Sequence, residues 1–329
     1  MLLREVLLAL RYSSTGERLR LARQLLACSG HKCRPSVPEK CNIDSIDQFE
    51  SACVRLAATL GRPGKIPSSK HLDFFRFLAT RERALTGAVG ASDYFFITAF
   101  VSVLAPKRAV EIGTLTGFSA AVLAAAIICE RGDPGRAVVD TIDRASECAV
   151  APKPIGFEIP EIIPEFPGAV RIHSGRDSGF VQEIAAPNEL GLVLIDASHK
   201  HPWPLLDLLR LAPFVRGGGW VLLHDIKLGT LRTEMALRGE CLPFGGAYGA
   251  EWLFDAWPFR KVSGGNIGAV QVPHARSTLL PFSVQMMRTP FETQPTKKRE
   301  LQVSLYRALT TLSRRPRSSL SYRGSATKV

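Results

Sequence analysis

Residues Arg108-Ala-Val-Glu111-Ile-Gly113-Thr114-Leu-Thr-Gly117-Phe-Ser119 constrain the fold of this chain more than any other stretch. A short apolar run ends in an acid, turns through glycines and enters the helix-forming segment Ala120 to Ile128. Such a run reads as a buried parallel strand, and the turn then lies at the crevice where doubly wound sheets bind ligands. Gly113 and Gly117 let backbone approach a ligand closely, and the free N–H groups opening the helix would face its polar end. A pyrophosphate-binding turn needs G-x-G-x-x-G, and Leu115 occupies the place of its second glycine, so a dinucleotide fits poorly.

Downstream, four more apolar runs end in polar residues. Ala137 to Asp143 closes on an acid placed where a ribose-binding carboxylate would lie, although Asp143 could equally cap the next helix. Ala169 to His173 leads into Ser174-Gly-Arg-Asp177-Ser178, Leu192 to Asp196 leads into Ala-Ser-His199-Lys-His201, and Gly219 to Leu223 leads into His224-Asp225. Between the last two runs, Pro204 to Val215 carries leucines at helical spacing and is closed by Arg216-Gly-Gly-Gly219, the pattern of a right-handed crossover unit. Phe259 to Ser263 and Ile267 to Val272, joined through Gly-Asn, read as a hairpin on one sheet edge.

The Glu111-x-Gly113-x-x-x-Gly117 arrangement resembles motif I of class I S-adenosylmethionine (SAM) methyltransferases. Ile195-Asp196-Ala-Ser-His199, Arg216-Gly-Gly-Gly-Trp-Val-Leu-Leu-His224-Asp225 and Gly265-Asn266-Ile-Gly-Ala-Val extend the resemblance over residues 83–273 and narrow it to the branch of small-molecule O-methyltransferases. The expected fold is α/β: a doubly wound, mostly parallel, seven-stranded sheet of Rossmann-like methyltransferase type. It would have an N-terminal helical cap over 1–82 and a basic, largely disordered tail over 274–329. The resemblance implies SAM as cofactor, held by Glu111, Gly113, Thr114, Gly117, Ser119, Asp143 and Asp196, with Asp177 and Ser178 flanking the adenine. It also implies that Gly87 to Phe95 covers the methionine end.

Methyl transfer from a sulfonium is an in-line displacement, so the protein must hold an acceptor against the methyl group and help remove its proton. A divalent metal or a histidine can do this. Asp196 and Asp225, after adjacent strands, offer hard oxygen ligands suited to Mg²⁺. Metal-dependent relatives usually show three oxygens, whereas here the second pair is His224-Asp225, which suits Mn²⁺, Fe²⁺ or Zn²⁺ better and puts the metal in doubt. His199 is the first choice for general base, with His224 and His201 as alternates.

The 329 residues are 46% hydrophobic, enough for a substantial core, and contain no run of eighteen apolar residues, so no membrane span is expected. The opening residues lack a secretion signal, and seven cysteines without C-x-x-C spacing read as reduced thiols in a cytoplasmic protein. Helical periodicity over Leu2 to Leu26, Ile43 to Leu60 and His71 to Leu85 predicts a lid over the acceptor site or a homodimer interface. Of the net charge of +12, +9 falls from His274 onward (eleven Lys and Arg against Glu292 and Glu300), where one amphipathic patch spans Glu300 to Leu312. The Asn-Pro-Pro-aromatic motif and Pro-Cys nucleophile of nucleic-acid methyltransferases are missing, which favours a small-molecule acceptor. A noncatalytic or oxidoreductase member of the fold is the other open reading.

Overall fold

Central strands buried on both faces build the fold. A computed structural model describes residues 28, 32–81, 89–132, 135–240, 247–292 and 295–313. Its eight strands are β1 (Glu39–Lys40), β2 (Ala109–Ile112), β3 (Val139–Asp143), β4 (Val170–Ser174), β5 (Leu190–Ile195), β6 (Val215–Leu223), β7 (Lys261–Ser263) and β8 (Gly268–Gln271). They form one sheet in the order β1-β7-β8-β6-β5-β2-β3-β4. Strands β2 to β6 pair in parallel, and β8 runs antiparallel to both β6 and β7. Leu192 and Leu194 of β5 enter one apolar cluster, while Val193 and Ile195 enter the other. A strand covered on both faces must be apolar throughout, which is why these runs were legible without alternation.

The described helices of eight residues or more flank this sheet. They are α1 (Phe49–Thr59), α2 (Lys70–Ala79), α3 (Ala91–Leu104), α4 (Phe118–Arg131), α5 (Trp203–Leu211), α6 (Leu228–Leu237), α7 (Gly249–Ala256), α8 (Leu279–Met286) and α9 (Pro295–Ser313). Helices α1 to α4 bury residues in the cluster on one face; α5, α7, α8 and α9 bury theirs on the other.

Three features depart from the sequence reading. The sheet has eight strands because Cys41 N donates to Ser263 O at 2.8 Å and draws Glu39–Lys40 beside β7. Two residues carry no periodicity, so nothing marked them as a strand. The glycines Gly217 to Gly219 lie inside β6 rather than ahead of it, beside an irregularity in its pairing with β5. A Cβ at Gly217 would come 2.6 Å from the His274 ring, so the strand admits glycine where the chain crosses back. Finally, residues 279–286 and 295–313 are packed helices, not a disordered tail. Leu301, Leu305, Leu309 and Leu312 recur at helical spacing and are buried with Phe282 and Met286, and that apolar stripe outweighs the basic composition. The first predicted helix, at Leu2 to Leu26, and the last fifteen residues lie outside the described residues. The six described cysteines are free thiols, and no helix among the described residues is long and apolar enough to cross a membrane.

The segment joining α1 to α2 is pinned by one buried carboxylate. Glu130 at the end of α4 accepts from His71 Nε2 and Lys65 Nζ, each at 2.7 Å, from Ser102 Oγ at 2.8 Å and from Ser68 N at 2.9 Å. Burial alone would raise its pKa, and these donors outweigh burial and hold it at about 2. Because the folded value lies below the unfolded one, this stabilisation is present at neutral pH and is lost as pH falls from about 4.5 toward 2. Glu130→Ala leaves His71 and Lys65 without their carboxylate, and we expect a loss of about 3 kcal/mol or more in denaturant unfolding at pH 7. The same variant should lose much less at pH 2.5, where the wild-type network is itself failing.

Candidate active site

Strand β2 delivers its C-terminal end to the carboxyl edge of the sheet, and the following turn can be made only by glycine at its tightest point. Gly113 has φ +98°, and a Cβ there would lie 2.0 Å from the carbonyl oxygen of Asp196. Gly117 has φ +87°, and a Cβ there would lie 2.6 Å from Ile159. The two positions do different jobs. Gly113 lets the ends of β2 and β5 meet, and Gly117 lets α4 begin against the loop at 156–159.

Asp143, at the end of β3, reaches across to this turn. Its Oδ2 accepts from Thr114 N at 2.8 Å and Leu115 N at 3.3 Å, and its Oδ1 accepts from Ala145 N at 2.8 Å. The expected grouping of Gly113, Gly117 and Asp143 is therefore present, and the carboxylate sits on the turn rather than solely capping the following segment. Beneath it, Thr114 Oγ1 lies 2.7 Å from Thr141 Oγ1, which donates to Glu111 Oε2 at 2.6 Å. Glu111 is fully buried, and its Oε1 has no hydrogen-bond partner among the described residues. Burial pushes its pKa up to about 8 against the lowering effect of the Ser119 and Thr141 hydroxyls, with Asp196 and Asp143 adding to the rise.

The second half of the site gathers three acids and two imidazoles. His224 Nδ1 lies 3.0 Å from Asp196 Oδ1 and 3.6 Å from Asp225 Oδ1, while its Nε2 lies 3.2 Å from Asp93 Oδ2. Burial would lower the His224 pKa, but these carboxylates raise it well above the ordinary histidine value. Asp196 responds in the opposite sense: burial raises its pKa, and His224 with His199 outweighs that and lowers it. Both ring nitrogens of His224 thus face carboxylates, which favour the protonated ring. His199 is more open, at 22% side-chain exposure, with Nε2 3.2 Å from Asp225 Oδ2 and 3.8 Å from Asp196 Oδ1. Asp225 takes a left-handed φ of 58°, costing about 1–3 kcal/mol, and accepts from Asn266 Nδ2 at 2.6 Å.

His201, the other alternate base, is a packing residue. It is 1% exposed, its ring meets Trp252 and Phe291 edge-on, and burial depresses its pKa to about 4. Asp177 and Ser178 lie beside the turn, since Arg176 N donates to Asp143 O at 2.9 Å, but their side chains engage α5. Asp177 pairs with Arg210 at 2.9 Å, and Ser178 Oγ donates to Asp207 Oδ1 at 2.5 Å.

Asp196 and Asp225, the expected metal pair, face the imidazole nitrogens of His224 and His199. Among the described residues no group of three or more His, Cys, Asp or Glu side chains is placed to hold a metal ion. Two participants lie within stretches that the sequence reading names, Gly87 to Phe95 and Gly265-Asn266, without being singled out. Asp93 stands in the first turn of α3, far from every strand end, and its one local signal is that Gly90 N donates to its Oδ2 at 3.1 Å. Asn266 sits in the hairpin turn, where Asn ordinarily serves the turn itself.

The sheet order is that of a doubly wound, Rossmann-like α/β fold. Residues 110–226 match a protein family described as a methyltransferase domain, which bears out the resemblance to class I SAM-dependent methyltransferases. Similar solved structures include the O-methyltransferase TomG from Streptomyces achromogenes, involved in tomaymycin synthesis and in complex with SAM. It is 19% identical, over 70% of this chain and 100% of that one, with a TM-score of 0.40. Another is an O-methyltransferase from Bacillus cereus in complex with SAH, 19% identical over 69% of this chain and 100% of that one, with a TM-score of 0.39. No curated protein matches the chain.

Because the folded pKa of Glu111 exceeds its unfolded value of 4.5, its contribution to stability is complete below about pH 4.5 and is lost as pH rises through about 8. Across that window the protein should lose up to about 1.4 kcal/mol per pH unit from this one group. Glu111→Gln, neutral at every pH, should flatten the decline when urea unfolding is followed from pH 5.5 to 8.5. An equally steep decline in the variant would assign the pH dependence to other groups.

Proposed function

We propose that this protein transfers the methyl group of SAM to a hydroxyl of a small molecule, with His199 taking the acceptor's proton. The observation that carries the reading is the juxtaposition of two units at one sheet edge. One is the glycine turn with Asp143 on its backbone; the other is the partly exposed imidazole of His199, backed by a carboxylate.

The residues fit the cofactor on structural grounds. Gly113 lets the turn close against the backbone of Asp196, Asp143 offers a carboxylate at the rim of that turn, and Asp93 Oδ1 is buried without a partner beside His224. When bound, SAM supplies an electrophilic methyl group on a sulfonium whose sulfur leaves with the bonding electron pair. The protein then has to place an oxygen in line with that methyl and accept one proton as the C–O bond forms and the C–S bond breaks. Asp225 facing His199 Nε2 keeps a proton on that nitrogen, which leaves the Nδ1 lone pair for the acceptor. The His224 ring lies between Asp196 and Asp93 and offsets the repulsion between their carboxylates.

Calorimetry with SAM, followed by S-adenosylhomocysteine release across a panel of phenolic and alcoholic acceptors, tests the proposal. His199→Ala should cut turnover by about 10²–10⁴-fold while SAM affinity stays within about twofold of wild type. Failure of the wild-type protein to bind SAM would overturn the methyltransferase reading. Unchanged turnover in the variant would remove His199 from its role.

A further inference from the structure

The segment after β8, which lies outside the matched domain, reaches back to the loop that carries His199. Glu292 Oε2 accepts from His201 N at 2.7 Å and from Tyr248 N at 3.0 Å, and Oε1 accepts from Tyr248 N at 3.1 Å. Its own N donates to His201 O at 2.8 Å. One residue therefore ties both polar backbone groups of His201 to the start of α7. A second tie runs from Gly249 N to His199 O at 2.7 Å, and a Cβ at Gly249 would lie 2.5 Å from His201 N, so the two backbones are in contact.

The aromatic packing makes this a single unit. The buried His201 ring rests between Trp252 and Phe291, the neighbour of Glu292, and Trp252 stacks on Tyr248 with ring centroids 5.3 Å apart. Tyr248 OH in turn reaches Thr233 on α6 at 2.9 Å. The loop of residues 199–202, the start of α7 and the outer helix α6 thus share one anchor.

We propose that Glu292 is a positioning residue for methyl transfer: it fixes the backbone from His199 to His201 and thereby sets the imidazole of His199 against the acceptor. This rests on the reading of His199 as base. Glu292 touches neither His199's imidazole nor the glycine turn, so its loss should act on turnover and leave the cofactor site alone. A carboxylate serving three N–H contacts has no substitute in Glu292→Ala. Glu292→Gln retains a carbonyl oxygen that can accept one or both N–H groups and is the conservative rescue.

Hydrogen–deuterium exchange on the full-length protein, which needs no activity, is the direct test. In Glu292→Ala, amides of residues 199–203 and 247–252 should exchange about tenfold faster or more while those of α4 stay unchanged. Turnover should fall about tenfold to a hundredfold with SAM affinity unchanged, and Glu292→Gln should recover most of both losses. Unaltered exchange in the alanine variant would overturn the proposal, as would a loss of SAM affinity equal to the loss of turnover. If the alanine variant does not fold, Glu292→Asp, whose carboxylate is one methylene too short to hold both His201 N and Tyr248 N, takes its place: faster local exchange and reduced turnover in it support the proposal, and wild-type values in it overturn it. Faster exchange in Glu292→Ala combined with full turnover in His199→Ala would instead fault the base assignment while leaving the tether in place.

Discussion

The contact between Gly113 and the carbonyl of Asp196 is the constraint on which the rest of this structure depends. It brings the ends of β2 and β5 closer than any side chain would allow, and Asp196 N reinforces it by donating to Ile112 O at 2.8 Å. From that closure follows the position of everything chemically active. Thr114 and Leu115 turn their N–H groups to Asp143, and Asp196 faces the strand end that carries His224 and Asp225. A wider gap would separate the turn from the histidine–aspartate group and leave two half-sites.

The electrostatics of that group are self-contained. Three aspartates within reach of each other would repel, and burial makes their charge more costly. Two imidazoles settle the conflict, one enclosed between Asp196 and Asp93 and one facing Asp225. Glu111 resolves its own burial differently, by keeping its proton up to about pH 8. The site therefore combines a neutral acid under the glycine turn with a paired charge cluster at its mouth.

Much of this was legible in the chain. The five parallel strands announced themselves as apolar runs closing on polar residues, and the residues at those ends, Glu111, Asp143, Asp196, His199, His224 and Asp225, are those that meet. What escaped depends on contacts made across long separations. Asp93 belongs to a helix whose burial pattern hides its single acid, and it gains significance only through His224, 131 positions away. Glu292 read as one of two acids in a basic stretch, and only the folded chain shows it bonded to His201. The helices at 279–286 and 295–313 were obscured for a related reason: net charge dominates composition, whereas packing is decided by where Leu301, Leu305 and Leu309 fall. The paired side chains of Asp177 and Ser178 show the converse, since polarity at a strand end signals a functional edge without saying which way each group points.

The two borders of the sheet are protected by unlike means. At one, the brief pairing of Glu39 and Lys40 with β7 covers most of the open hydrogen-bonding edge with a strand too short to recruit another. At the other, β4 presents Arg171 and His173, both drawn toward the buried Asp140, so a foreign strand laid alongside would meet a cationic Arg171 and a committed carboxylate. Growth of the sheet by addition of chains is thus opposed at both ends.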